Sequence, residues 1–220
     1  MQGRATRLFV GPLLTSLEKV FGQGHFLKYL QAFRYPLAGE FAFTKDLGMN
    51  LRIPCDWGLE IGLLSEVYRN VRLSRIAQVD LGIFDHKHKD VGTNPQEGLQ
   101  RMCKEILSSV LRGLMEHQAE TLNHSQLSTL EVLYKRVGQD RVKQFGLDSA
   151  INNIPYNRHE EELSHTLTRI NRRHPLDGLT EEEAIHKPRA RWYVGQNGST
   201  DHVRDILAKM QSVGLDCGNV

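Results

Sequence analysis

Paired cysteines, long apolar runs and an excess of one charge are all missing from this sequence, and each absence closes off a class of protein. The three cysteines, Cys55, Cys103 and Cys217, are far apart and outside any CxxC pattern, which argues against both a disulfide framework and a zinc ribbon. A reducing compartment suits them. No apolar stretch approaches the roughly 18 residues that a membrane span needs. The start MQGRATRLFVGPLL has no small-residue cleavage site of the secretory kind. The expectation is a cytoplasmic protein with no membrane partner.

Charge is as even as the cysteines are sparse. Lysine and arginine number 28 against 26 aspartates and glutamates, divided 12 against 10 over residues 1–97 and 16 against 16 over 98–220. The densest basic run, Arg169, Arg172, Arg173 and His174, follows the acidic Glu160, Glu161 and Glu162. A nucleic-acid partner is not expected, because a phosphate backbone selects clustered positive charge. Also missing are an internal repeat, a DxD pair, since Asp80, Asp85 and Asp90 stand isolated, and a glycine-rich strand-to-helix loop of the kind that cradles phosphates. What is there, 40% hydrophobic and 25% charged residues over 220 positions, suits one sizeable soluble domain or two small ones.

Periodicity divides the chain. A polar turn, GRATR, feeds a helix in which Leu13, Leu14, Leu17 and Val20 recur behind Pro12. Glycines at 39, 48, 58 and 62 then interrupt short apolar runs, a punctuation common where backbone lines a pocket. In LEIGLLSEVYR, residues 59–69, Leu59, Leu63, Leu64 and Val67 share one helical face, which puts Glu60 in the first turn. The run IAQVDLGIFDH predicts a strand through Ile76, Val79, Leu81 and Ile83, with Asp85, His86 and His88 at its exit. Beyond residue 98, two amphipathic helices follow, one through Leu99, Met102, Ile106, Val110 and Leu114, the other through Leu127, Leu130, Leu133, Val137 and Val142. Residues 146–158 are expected to be a loop, followed by a polar helix from Glu160 that ends before Pro175. A capping box at Thr180 and Glu183 and a last helix over about 201–213 complete the pattern.

Four stretches in order, GRATRLFVGPLL, PLAGEFAF, DWGLEIGLLSE and IAQVDLGIFDHKHK, resemble the corresponding blocks of glucosyl-3-phosphoglycerate synthases. The resemblance covers roughly residues 3–90 and is to the C-terminal half of those enzymes. It implies an α/β fold: the C-terminal part of a glycosyltransferase A-type, Rossmann-like domain over residues 1–97, then a helical region over 98–220. It also implies a hexosyltransferase that moves glucose from a nucleotide sugar, UDP-glucose or similar, to 3-phosphoglycerate with retention, working as a homodimer with Mg²⁺ or Mn²⁺. The nucleotide-binding half would be missing, so the chain by itself is expected to be inactive. A mannosyl-transferring relative and a non-catalytic helical dimerisation module or remnant are the alternatives.

By the same resemblance His86 matches the metal position, where a divalent ion neutralises the departing diphosphate; the plainer reading is a solvated strand-end histidine. Glu60 matches the catalytic carboxylate facing the acceptor, although an acid in a first helical turn also complements the helix dipole. Trp57 stands beside it where relatives often carry tyrosine, keeping the ring and losing the hydroxyl. Arg4 and Thr6 match the acceptor loop, where in extended backbone both would point at one phosphate. Gly39 and Glu40 match a segment near sugar and acceptor, and also read as a plain helix start. Phe84 replaces a basic residue carried by many relatives.

Overall fold

The computed structural model describes residues 3–81, 98–118 and 123–168. A π-helical turn, Ala5–Val10, runs without a break into α1, Gly11–Phe21, so the expected polar turn is already helical at Arg4. Pro12 sits in the first turn of α1, where its missing N–H costs nothing. Gly22, at φ 81°, ends the helix in a backbone region that side-chain-bearing residues rarely enter. After α2, His25–Ala32, comes a stretch of irregular chain broken by the short α3, Lys45–Asn50, whose Thr44 caps it through Leu47 N–H. Next are α4, Leu59–Asn70, a 3₁₀ turn at Leu73–Arg75, and α5, Gly98–Gln118. The long α6, His124–Ile151, is opened by a capping box between Asn123 and Gln126, and α7, Arg158–Leu167, by the Asn157 side chain.

The apolar stripes read from the sequence become one core. Leu13 and Leu17 of α1, Leu27 and Leu30 of α2, Ile61 of α4, Val110 and Leu114 of α5 and Leu130 of α6 are all sealed from solvent. Each such side chain contributes roughly 1.5–3 kcal/mol through burial. The cluster draws on both sides of the 97/98 boundary. Close approach of α4 to α5 depends on Gly58, where an added Cβ would lie 1.9 Å from Ser109 Oγ. A second, smaller cluster of Leu51, Ile53 and Leu63 packs beneath Phe41, Leu47 and Leu59.

The α/β expectation is overturned: the elements formed by the described residues are helices, with no strand among them. A strand exists only where a neighbour accepts its ladder of hydrogen bonds. Residues 76–81 belong to no regular element, and among the described residues 77 to 81 form no backbone–backbone hydrogen bond. What ties the segment down is a side chain: Gln78 Oε1 accepts from Arg34 N–H at 2.6 Å, and its Nε2 donates to Ala32 O at 3.5 Å. The apolar residues Ile76, Val79 and Leu81 half-bury themselves against other side chains instead of joining a sheet. The expected loop over 146–158 is likewise shorter than its polarity suggested, because α6 continues to Ile151. Tyr156 then folds back and donates to Val142 O at 2.6 Å. The strand exit with Phe84, Asp85, His86 and His88, the capping box at Thr180 and the helix over 201–213 lie outside the described residues.

Candidate functional site

Two carboxylates that are separated in sequence feel each other's charge in the fold. Glu60 occupies the first turn of α4, behind an Asp56 side chain that accepts from Gly58 N–H at 2.9 Å and so shapes the helix entry. Burial raises the Glu60 pKa, a hydrogen bond with its own backbone N–H pulls in the other direction, and the charge of Glu40 raises it further. Desolvation therefore outweighs the local hydrogen bond. A carboxylate held this way is a better proton acceptor than a solvated one.

Glu40 opens onto a groove of about 300 Å³ between the 33–47 segment, α4 and residues 75–81. Its walls are mainly apolar, with Phe33, Phe41, Phe43, Leu63 and Ile76 among them. Gly39, one residue earlier, is exposed and has open space around it, with nothing within 4 Å of where a Cβ would stand. Trp57 lies on the other side of Gly58 and is 47% exposed, and its backbone N–H donates to Glu105 Oε2 at 3.0 Å.

Arg4 and Thr6 are not brought to one point. In helical backbone, two positions apart means opposite faces. Arg4 reaches α7 and pairs with Glu160, whereas Thr6 Oγ1 is buried without a hydrogen-bond partner. Thr6 lines a separate cavity that shares Phe33 and Pro36 with the Glu40 groove. Arg7, which the sequence reading passed over, makes the strong contact of this region: its two terminal nitrogens donate to the two oxygens of buried Glu161 at 2.9 and 3.0 Å.

Three other reactive-looking groups are structural. Ser65 Oγ and His117 Nε2 are 2.8 Å apart, but the adjoining cavity of about 10 Å³ admits no more than a water. Glu66, 1% exposed, is held by Arg52 and Arg69. Burial pushes the Cys103 thiol up, away from the reactive thiolate. Spacing alone could not separate these from functional residues, since a buried acid and a Ser–His pair have no distinctive sequence period. Among the described residues, no three His, Cys, Asp or Glu side chains converge on a common point as metal ligands would, and no helix is long and apolar enough to cross a membrane.

A glucosyl-3-phosphoglycerate synthase from Methanococcoides burtonii is 49% identical to this chain over 163 residues, 74% of the chain and 40% of that enzyme. This chain is homologous to part of a glucosyl-3-phosphoglycerate synthase. The glucosyl-3-phosphoglycerate synthase of Persephonella marina is 36% identical over 162 residues, 73% of the chain and 40% of the relative. That of Mycolicibacterium smegmatis is 33% identical over 109 residues, half of this chain and 31% of the relative. The chain thus spans about two-fifths of the length of the first two of these synthases. No protein-family model matches it, and no solved structure does.

Proposed function

We propose that this chain supplies the acceptor side of a retaining glucosyltransferase that uses 3-phosphoglycerate. The donor is a nucleotide sugar, UDP-glucose or a close relative, and the product is glucosyl-3-phosphoglycerate, a precursor of glucosylglycerate. The chain corresponds to the C-terminal half of the synthases, and the polypeptide that binds the nucleotide is a further part of the active protein. The observation that carries this reading is a half-buried Glu60 at the head of α4 that feels the charge of Glu40, itself on the wall of a groove, in a chain homologous to the synthases.

The chemistry follows from that placement. Glu60 accepts a hydrogen bond from the 2-hydroxyl of the acceptor and aims its oxygen at the anomeric carbon. As the bond from that carbon to the diphosphate breaks on the same face, the new C–O bond forms and the hydroxyl proton passes to the departing diphosphate. Glu60 positions and does not need to take the proton, and Trp57 covers the acceptor with its exposed ring. Gly39 leaves room for acceptor backbone contact beside Glu40.

Mg²⁺ or Mn²⁺, with His86 as a ligand, belongs to the same proposal. The described residues do not form a donor set for it, so no step above runs through the ion. Homodimerisation is supported by exposed apolar side chains on α6 and α7, namely Val132, Leu147, Ile151 and Leu163. A cytoplasmic location accords with the free cysteines Cys55 and Cys103.

The experiment is transfer of labelled glucose to 3-phosphoglycerate by a synthase of full length carrying this sequence, with this chain alone as control. Transfer is expected in the first and not in the second. In the full-length protein His86→Ala should abolish the response to added divalent ion. Absence of transfer with every nucleotide glucose, or preference for a mannosyl donor, refutes the reading.

A further inference from the structure

The turn at residues 56–58 carries Trp57 and leads straight into the first turn of α4, where Glu60 stands. The N–H groups at such a helix entry have no intrahelical acceptor and must find one elsewhere. Gly58 N–H donates to Asp56 Oδ1 at 2.9 Å and Leu59 N–H to Asp56 O at 3.2 Å, both within the turn. Trp57 N–H leaves it: the acceptor is Glu105 Oε2 on α5, 48 positions further on, at 3.0 Å. The other oxygen of Glu105 accepts from Arg101 Nε at 3.0 Å, one helical turn back, so both ends of the carboxylate are engaged. Backbone contact completes the attachment. A Cβ added at the buried Gly58 would lie 1.9 Å from Ser109 Oγ and 3.0 Å from Glu105 O, so the turn rests on the face of α5 that Glu105 and Ser109, four residues apart, share.

The Arg101–Glu105 pair is a surface feature, with side chains 56% and 17% exposed. Pairs of that kind add little to stability, so this one is poorly suited to holding the fold together and well suited to orienting the backbone it touches. Orientation matters here, because a displacement of about 1 Å at reacting groups can cost roughly a hundredfold in rate. We infer that Glu105 is a positioning residue for the acceptor: through the Trp57 N–H it fixes the turn that carries Trp57 and starts α4 with Glu60. Helix α5, beyond residue 98, is thereby part of the support of the acceptor site and not only of the core. The role rests on the function proposed above, which places Trp57 and Glu60 at the acceptor.

The test uses a full-length synthase carrying this sequence, with circular dichroism confirming that each variant keeps its helices; alanine is a strong helix former, so Glu105→Ala suits α5. In that variant kcat should fall and KM for 3-phosphoglycerate rise, together lowering kcat/KM for the acceptor about tenfold or more, while KM for the nucleotide glucose holds. Partial unfolding would instead lower the apparent kcat and leave both KM values where they were. Glu105→Gln should recover much of the loss, since its amide oxygen still accepts from Trp57 N–H. Arg158→Gln, which breaks an exposed pair on α7, should change neither constant. Amide hydrogen exchange at Trp57, measured in this chain, should quicken about tenfold or more in Glu105→Ala. Unchanged exchange at Trp57, an equal rise of both KM values, or a Glu105→Gln variant as impaired as Glu105→Ala overturns the inference. Failure of the two readings is distinguishable. No transfer by the unaltered synthase removes the function and this role with it, while transfer with unaltered acceptor kinetics in Glu105→Ala removes the role and keeps the function.

Discussion

Glu40 and Glu60 sit close enough for the charge of the first to raise the pKa of the second, although one lies in irregular chain and the other begins a helix. Like charges are seldom placed together in a fold unless something else favours the arrangement.

Glu40→Gln should therefore lower the Glu60 pKa toward the ordinary glutamate value, as followed by the carboxyl carbon shift in an NMR titration. An unmoved Glu60 would show that the two charges do not communicate.

The pH dependence of stability has a definite sign. Because folding raises the Glu60 pKa, its contribution is fully present below the ordinary glutamate range and is lost as pH rises through the raised value. At neutral pH Glu60→Gln should thus leave Tm unchanged or higher, with the difference shrinking in acid. If Glu60 orients the acceptor hydroxyl, kcat of the full-length enzyme falls at the same time.

Arg7→Ala should leave the Glu161 carboxylate buried and unpaired. Loss of about 3 kcal/mol in urea unfolding is expected, and Arg7→Lys should recover only part of it because an ammonium cannot make the paired contact. A loss below about 1 kcal/mol would mean that water replaces the guanidinium.

Gly138→Ala tests the seat of α7. The new Cβ would lie 1.9 Å from the ring of His165, which is buried and hydrogen-bonded to Leu8 O at 3.1 Å. Overpacking of this kind costs roughly 1–3 kcal/mol, readable as a lower Tm. Gly39→Ala is the contrast: nothing in the chain opposes it, so Tm should hold while KM for the acceptor rises if substrate approaches there.

Local patterns were legible where burial faces one way. The stripes of α1, α4, α5 and α6 and the place of Glu60 in a first turn could be read from spacing, because a helix makes its own hydrogen bonds and needs from its neighbours only an apolar surface. The strand through Ile76, Val79 and Leu81 was misread for the complementary reason: alternation marks the faces of a ribbon but does not supply the second ribbon. The GRATR segment failed differently. Its polarity suggested a turn, yet Arg4 and Arg7 find Glu160 and Glu161 across the fold, and those contacts make helix the better choice.

By itself the sequence determined the helical periods, the even charge and the kinship with the synthases, since these reside in the order of residues. Tertiary structure alone decided that Glu60 feels the charge of Glu40, that Arg4 and Thr6 part, and that Arg34 and Arg141 line one cavity. Those are distances between residues far apart in the chain, and they depend on how the helices pack, which no local spacing encodes.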